Sequence, residues 1–249
     1  MNILDFYKFI IKQKKAYLRY GMDFCKYHEY KNILKNIFLK NGDVLLDIGC
    51  SDSYFPWYLS SKNDIIIYLA DLNEKVLIEQ KKNFQKMPFA NSKIKILQED
   101  ITQLANKSNC FDLVFAIQIF SLLPSDMDIQ AIKEIYRVLK KNGQAIISIS
   151  YNVNYSDYEN SSNDNYWNLK HRIYNLDAIK TRLIESTGFK IKKNIFFGDN
   201  TISKLSNFWY FKVPKKYFGW IQPIFSEFCE KIDKKTSKEA GNLILFLEK

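Results

Sequence analysis

Short runs of apolar residues alternate with stretches of helical periodicity through most of this chain. Apolar runs of about four to eight residues are typical of buried strands, and apolar positions that recur every three or four residues are typical of helices. The apolar runs predict strands at 44–48, 65–70, 93–98, 111–117, 145–149, 189–197 and 243–247. The amphipathic stretches predict helices at 53–61, 73–86, 125–139 and about 175–188.

Strands that alternate with helices need crossover connections, which make the strands parallel and place helices on both faces of the sheet. The pattern therefore predicts an α/β fold with a Rossmann-like, doubly wound, mostly parallel seven-stranded sheet. Asn142-Gly143 is expected to close the helix before the fifth strand, because Asn and Gly favour helix ends.

The two ends of the chain differ from this pattern. Residues 1–40 carry apolar positions near helical spacing and predict an N-terminal helical cap. Residues 41–249 form the α/β domain, and 198–240 is an irregular stretch rich in aromatic residues and lysine, interpreted as a lid or insertion before the last strand. The chain shows no internal repeat and no low-complexity linker, so one domain overall is predicted.

The composition limits where the protein acts. The chain has 249 residues, of which 47% are hydrophobic, and no apolar run reaches the roughly 18 to 20 residues of a membrane span. The first residues show no small-residue cleavage site, so a cytoplasmic protein without a signal peptide is predicted. Four scattered cysteines and only two histidines predict reduced thiols and no metal site.

The formal net charge of +10 suggests a nucleic-acid partner, but 33 of the 37 basic residues are lysine. Arginine is the residue that grips phosphates and base edges with two hydrogen bonds. A solvated lysine-rich surface is therefore favoured over nucleic-acid binding.

Acidic residues follow three successive predicted strands. Asp47 ends the first and precedes a turn at Gly49, Asp71 ends the second, and Asp100 follows the third. Ligands bind open α/β sheets at the carboxyl ends of the strands, so these acids are expected to share one site. Asp71 is placed to accept hydrogen bonds from a ribose diol, and Asp100 can meet an adenine amino group or a cationic centre. An NAD site is less favoured, because the Gly-x-Gly-x-x-Gly motif is absent.

Four stretches resemble motifs of the class I S-adenosylmethionine (SAM)-dependent methyltransferases, particularly the small-molecule and lipid type. These stretches are VLLDIGCSDSYFPWYL, YLADLN, ILQEDITQL and FDLVFAIQIFSLLPSDMDIQAIKEIYRVLKKNGQAIISI. The resemblance covers about residues 28–197 and the last strand. It implies SAM as cofactor, S-adenosylhomocysteine as product, and a cofactor site formed by Asp47, Gly49, Cys50, Ser51, Asp71, Leu72, Asp100, Ile101 and Gln118.

The chain departs from the family pattern at two places. Ser51 and Ser53 stand where the motif has its second and third glycines, and serine would be strained at a position that needs a positive φ. Leu122 stands where many relatives have a histidine after the fourth strand. His171 is then the candidate general base, although a surface or structural histidine is the common alternative.

The methyl acceptor is expected to be a small molecule, a lipid or a glycan. Residues 208–225 interleave lysines with large aromatic side chains, which predicts a hydrophobic lid, a peripheral membrane contact or an oligomer interface. Two further hypotheses remain: a protein or RNA methyltransferase, and a catalytically inactive SAM-fold accessory protein.

Overall fold

The computed structural model describes residues 1–13, 24–86, 93–158, 170–213 and 221–249. Within them a seven-stranded sheet has the order β3-β2-β1-β4-β5-β7-β6. The strands are β1 (Val44–Ile48), β2 (Ile66–Asp71), β3 (Ile94–Gln98), β4 (Phe111–Ile117), β5 (Leu139–Ser150), β6 (Lys190–Asp199) and β7 (Ala240–Glu248). All four neighbouring pairs from β3 to β5 are parallel. The predicted fold class is confirmed.

Helices occupy most of the connections between these strands. Two helices precede β1, namely α1 (Ile3–Gln13) and α2 (Phe24–Asn36). The helices between strands are α3 (Phe55–Lys62), α4 (Glu74–Lys86), α5 (Met127–Val138), α6 (Leu176–Ala178), α7 (Asn200–Lys212) and α8 (Gln222–Ile232). A π-helical segment, Ile179–Ile184, continues α6. Among the described residues, no helix is both long enough and apolar enough to span a bilayer.

The strand order reverses direction beside β1. From β1 the chain adds β2 and β3 on one side, and β4 and β5 on the other. Asp47 accordingly lies between Leu69 of β2 and Phe115 of β4. Such a switch point leaves a crevice beyond the carboxyl ends of the two central strands, which is where open α/β sheets bind ligands.

The chain divides into two compact units. The helical unit comprises Met1–Phe38 and Ile195–Leu243, and the sheet unit comprises Leu39–Asn194 and Ile244–Lys249. The predicted N-terminal cap and the segment 198–240 thus belong largely to one unit, although they are far apart in sequence. The single-domain organisation stays a prediction.

The helical unit has its own apolar core. Phe24, Ile202 and Cys229 are buried together, and Cys25, Leu205 and Phe225 pack against them. The Asp199 carboxylate accepts a hydrogen bond of 2.9 Å from the Ile202 N–H, which caps α7.

The description of 198–240 as irregular is wrong, because α7 and α8 lie within it. Consecutive aromatic residues at 208–211 hide the helical period in the sequence. Residues 214–220 of that aromatic stretch lie outside the described residues.

The helix before β5 ends at Val138, and the Asn142-Gly143 pair does not close it but lies inside β5. Asn142 has a φ of +64°, and its N–H donates to the Lys249 carbonyl at 3.1 Å. The Lys249 N–H donates in return to the Gly143 carbonyl at 3.0 Å. These hydrogen bonds with Lys249 therefore hold Asn142-Gly143 in a strand, where the sequence predicted the end of a helix.

Candidate active site

The turn after β1 brings the backbone close to β2. The N–H groups of Gly49 and Cys50 both donate to the Ala70 carbonyl, at 2.8 and 3.1 Å. Gly49 has a φ of +71°, and a Cβ at this position would lie 3.1 Å from Cγ1 of Ile119. Glycine is therefore required here both by the backbone conformation and by the close approach of Ile119.

Ser51 is held in the left-handed region with a φ of +48°, as its place in the degenerate glycine motif suggested. Its N–H donates to Oδ2 of Asp71 at 3.1 Å, and Oδ1 of Asp71 accepts from the Asn73 N–H at 2.9 Å. The two predicted cofactor residues are therefore in direct contact. A carboxylate has about four lone-pair sites, so Asp71 retains capacity for a ribose diol.

Gln80 is a site residue that the sequence analysis missed. It lies on α4 with no exposed surface, and its Nε2 donates to the carbonyls of Ser51 and Ser53 at 2.7 and 3.2 Å. Its Oε1 accepts from the indole Nε1 of Trp57 at 2.7 Å. A buried glutamine in an amphipathic helix shows no motif, so only the contacts identify its role in holding the turn after β1.

Cys50 is buried beside two acids. Burial, together with the negative charges of Asp47 and Asp71, raises the pKa of the Cys50 thiol far above its ordinary value. The thiol therefore stays protonated and is a poor nucleophile. All four cysteines lie in the described residues, and none is disulfide-bonded.

The end of β3 is linked to the end of β2. The Glu99 N–H donates to the Asp71 carbonyl at 3.2 Å. Oδ1 of Asp100 accepts from the N–H and the hydroxyl of Thr102, at 2.8 and 2.7 Å. These two bonds use one carboxylate oxygen of Asp100. Leu72, predicted to pack on adenine, is 63% exposed, whereas Ile101 is buried.

Gln118 follows β4 with a φ of +61°. Its N–H donates to the Ser148 carbonyl at 2.9 Å, and its Nε2 donates to Oγ of Ser148 at 2.8 Å. A non-glycine residue with a positive φ persists only where its surroundings hold it, and such residues concentrate at functional sites. Anchoring by β5 places Gln118 at the carboxyl edge of the sheet, next to Ile119, which packs on Gly49.

His171 lies in a segment that runs beside the turn after β4. The N–H of its neighbour Arg172 donates to the Ser121 carbonyl at 2.7 Å, and Oγ of Ser121 accepts from the Ser150 N–H at 2.9 Å. Leu122, which replaces the familiar histidine, belongs to the same turn. The backbone of the candidate base is therefore close to the carboxyl ends of β4 and β5.

A buried ionic cluster, also missed from the sequence, fixes this segment. The side chains of Arg172 and Asp128 have no exposed surface and are 2.9 Å apart. Arg182 donates to both carboxylate oxygens of Asp128, at 2.7 and 2.8 Å, and the Tyr174 hydroxyl donates to the same carboxylate at 2.8 Å. The cluster ties α5, the π-helical segment and the strand-like segment after His171 together.

Three of the four arginines have internal partners. Arg172 and Arg182 bind Asp128, and Arg137 binds Glu134 and the carbonyls of Leu104 and Asn106. Arg19 lies outside the described residues. The arginines of the described residues therefore have partners within the protein.

Comparison with known proteins finds a matching domain family and similar folds. Residues 46–147 match the model of a methyltransferase domain family. An S-adenosylmethionine-dependent methyltransferase from Mesorhizobium loti is 14% identical with a TM-score of 0.60, over 89% of this chain and 98% of that one. The [4+2]-cyclase SpnF is 18% identical with a TM-score of 0.63, over 88% and 79%. No curated protein matches the sequence.

A third solved structure is a phosphoethanolamine N-methyltransferase from Haemonchus contortus, in complex with phosphomonomethylethanolamine and S-adenosylhomocysteine. It is 18% identical with a TM-score of 0.58, over 89% of this chain and 52% of that one. At these identities the structures establish a common fold. An open, mostly parallel sheet with a switch point beside β1 is typical of α/β folds that bind nucleotide cofactors. More specifically, residues 46–147 match a methyltransferase domain, and the chain has the fold of the class I SAM-dependent methyltransferases, for which SAM is the predicted cofactor.

Proposed function

We propose that this chain is an active enzyme that transfers the methyl group of SAM to a small-molecule, lipid or glycan acceptor. The observation that carries the proposal is the linked set of residues at the switch point. Gly49 and Ser51 form the turn, Asp71 holds the Ser51 N–H, and Gln80 holds the Ser51 carbonyl. Three structural constraints on one exposed turn are typical of a preorganised ligand site.

The donor set fits the cofactor. Asp71 would hold the ribose hydroxyls, Leu72 and Ile101 would contact the adenine, and Asp100 would accept the hydrogen of its amino group. Asp47, Gly49, Cys50, Ser51 and Gln118 would surround the methionine end. When bound, SAM supplies an electrophilic methyl group on a positively charged sulfur, and the carboxylates of this edge favour that charge.

The residues of the chain then contribute mainly by positioning the cofactor and the acceptor. Direct displacement at a methyl carbon needs alignment of the acceptor atom and exclusion of water more than it needs a strong acid or base. His171 is proposed as the base for an acceptor that must lose a proton, since its segment borders the turns after β4 and β5. A carbon acceptor or an acceptor amine that is already neutral would not require it.

The first experiment is calorimetric titration of the protein with SAM and with S-adenosylhomocysteine. Micromolar binding by the wild type that is lost in Asp71→Ala, and kept in the matched control Asp177→Ala on the exposed end of α6, supports the proposed site. Thermal unfolding of both variants shows that each is folded. A folded wild type that binds neither ligand contradicts the cofactor site.

An inactive accessory protein is the second candidate, and one observation favours it. The strained Ser51 in the cofactor turn is a departure that an active enzyme does not need. SpnF, a [4+2]-cyclase, also shows that the fold occurs in a protein with another named activity. Binding of SAM without release of S-adenosylhomocysteine across a panel of small-molecule, lipid and glycan acceptors would support this candidate.

His171→Asn separates the chemical role from the structural one. If His171 is the base, turnover falls by about 10²- to 10⁴-fold while SAM affinity is unchanged, and the loss shrinks as pH rises and the acceptor ionises by itself. An unchanged turnover would exclude His171 as base.

A further inference from the structure

The outer face of α8 carries a stripe of exposed apolar side chains. Ile224 is 66% exposed, Phe228 57% and Ile232 43%. Residues four apart lie on one face of a helix, so these three side chains form a continuous row. The opposite face is the packed one, since Gln222, Ser226 and Cys229 are buried. A helix that is buried on one side and apolar on the other has a surface suited to a second apolar environment.

The charge of the protein is concentrated in the same unit. The helical unit contains 16 of the 37 lysines and arginines and 8 of the 27 acids, so it carries +8 of the formal net charge of +10. The sheet unit is therefore close to neutral. A lysine-rich unit of this kind is attracted to anionic surfaces.

The acids of α8 are neutralised. Lys31 of α2 forms ion pairs with Glu227, at 2.6 Å, and with Glu230. Glu230 also binds Lys235 at 3.0 Å, and Glu227 accepts from the Tyr27 hydroxyl at 2.8 Å. Lys231 is exposed, and it lies three residues beyond Phe228 and so beside the apolar stripe. Lys231 thus places a positive charge beside the stripe, while both acids of the helix are held by internal partners.

We propose that the outer face of α8 binds the surface of an anionic lipid bilayer, with Ile224, Phe228 and Ile232 entering the boundary between headgroups and acyl chains. Amphipathic helices bind in this way through a few apolar side chains together with electrostatic attraction to the lipids. The membrane contact, predicted at 208–225 from the sequence, then lies further along the chain, on α8. It does not depend on the proposed methyl transfer.

Other occupants fit the surface less well. Three side chains are few for a stable protein interface, which buries about 800 Å² on each partner. A second copy of this chain would bring a unit of the same strong positive charge against the first. Nucleic acid would match the charge but would leave the apolar stripe without a role.

Vesicle co-sedimentation tests the proposal without any cofactor. The wild type should bind phosphatidylglycerol–phosphatidylcholine vesicles, should bind pure phosphatidylcholine vesicles much less, and should be released by salt. The triple variant Ile224→Ser, Phe228→Ser, Ile232→Ser should lose at least tenfold in partition coefficient. The matched control is Ile78→Ser, Leu176→Ser, Ile191→Ser, which removes side chains of the sheet unit with 44, 49 and 45% exposure. It should bind like the wild type.

A Phe228→Trp variant locates the contact. Its fluorescence should shift to shorter wavelength on anionic vesicles and be quenched by brominated lipids, beyond the change shown by the wild-type tryptophans. An Ile191→Trp variant should show no additional change.

Three results would overturn the proposal. Equal vesicle binding by the two triple variants would exclude the stripe as the contact. Loss of self-association, rather than of vesicle binding, in the α8 variant would assign the stripe to a second copy. Binding of single-stranded RNA with the same salt dependence in all variants, and no vesicle binding, would assign the charge to nucleic acid.

Discussion

The indole Nε1–H of Trp57 donates a hydrogen bond of 2.7 Å to Oε1 of Gln80, and neither side chain has exposed surface. This bond orients the Gln80 amide so that its Nε2 faces the carbonyls of Ser51 and Ser53. Two helices thereby support the turn that follows β1. The turn is held from the protein interior as well as by the end of β2.

Replacement of Gln80 by Leu should loosen that turn. The change leaves the Trp57 N–H and two backbone carbonyls without their partner, and each unsatisfied buried polar group costs about 1 to 3 kcal/mol. We expect a loss of about 2 kcal/mol in the free energy of unfolding and roughly tenfold weaker SAM binding, measured by urea unfolding and calorimetry. Gln130→Leu on the exposed side of α5 is the control, and equal effects in both variants would contradict the supporting role of Gln80.

Replacement of Ser51 by Gly should stabilise the protein. Ser51 has a φ of +48°, and the left-handed region costs a residue with a Cβ about 1 to 2 kcal/mol. Part of that gain is offset by the greater entropy of glycine in the unfolded chain, so a net gain of about 0.5 to 1 kcal/mol is expected. SAM affinity should be equal or higher.

Ser53→Gly is the matched test at the other degenerate motif position. Ser53 lies outside the left-handed region, and its Oγ accepts from the Phe55 N–H at 3.2 Å. This variant should therefore lose stability. Destabilisation by Ser51→Gly would show that serine is not strained there.

Asp128→Asn should be among the most destabilising single changes in the sheet unit. The variant removes the negative charge that pairs with Arg172 and Arg182 and leaves both beside a neutral amide. The Arg172 side chain has no exposed surface, so water cannot replace the lost partner. Removing one partner from a buried ion pair costs about 3 to 5 kcal/mol. Asp126→Asn removes only an exposed partner of Arg182 and should cost less than about 1 kcal/mol. Urea unfolding of the two variants measures the difference, and similar values would contradict a structural role for the cluster.

The helical unit should lose stability as pH falls. Burial lowers the pKa of His28, although the Ser226 carbonyl and Glu230 favour its charged form. In the unfolded chain a histidine gains a proton near pH 6.5, whereas His28 in the folded protein gains one only at a lower pH. The unfolded state therefore binds more protons as pH drops through that value, and the free energy of unfolding decreases until the lower folded pKa is reached.

The measurement is the free energy of unfolding between pH 8 and pH 5 for the wild type and for His28→Asn. The variant should be less stable at pH 8, because it loses the packing of the imidazole against Phe24. It should also show a shallower decline with falling pH. An identical decline would assign the pH dependence to other groups.

The sequence by itself determined the strand–helix alternation, the parallel sheet and the resemblance to the class I methyltransferases, because these depend on local periodicity and on short motifs. It also indicated Asp47, Asp71 and Asp100 as one set, since parallel strands end at one edge. Their roles toward the cofactor stay predictions. The sequence also suggested backbone strain at the two serines of the degenerate motif. The structure shows a positive φ at Ser51 but not at Ser53.

Only the tertiary structure decided which distant residues support these positions. The hydrogen bonds of Gln80, the ion pairs of Asp128 with Arg172 and Arg182, and the contact between Lys249 and Asn142 join residues 23 to 107 positions apart. The union of the N-terminal helices with 195–243, and the exposed stripe on α8, likewise follow from which faces of the helices find partners. A polar or apolar residue in a helix gives no local sign of its partner, because that partner is selected by packing between elements that are far apart along the chain.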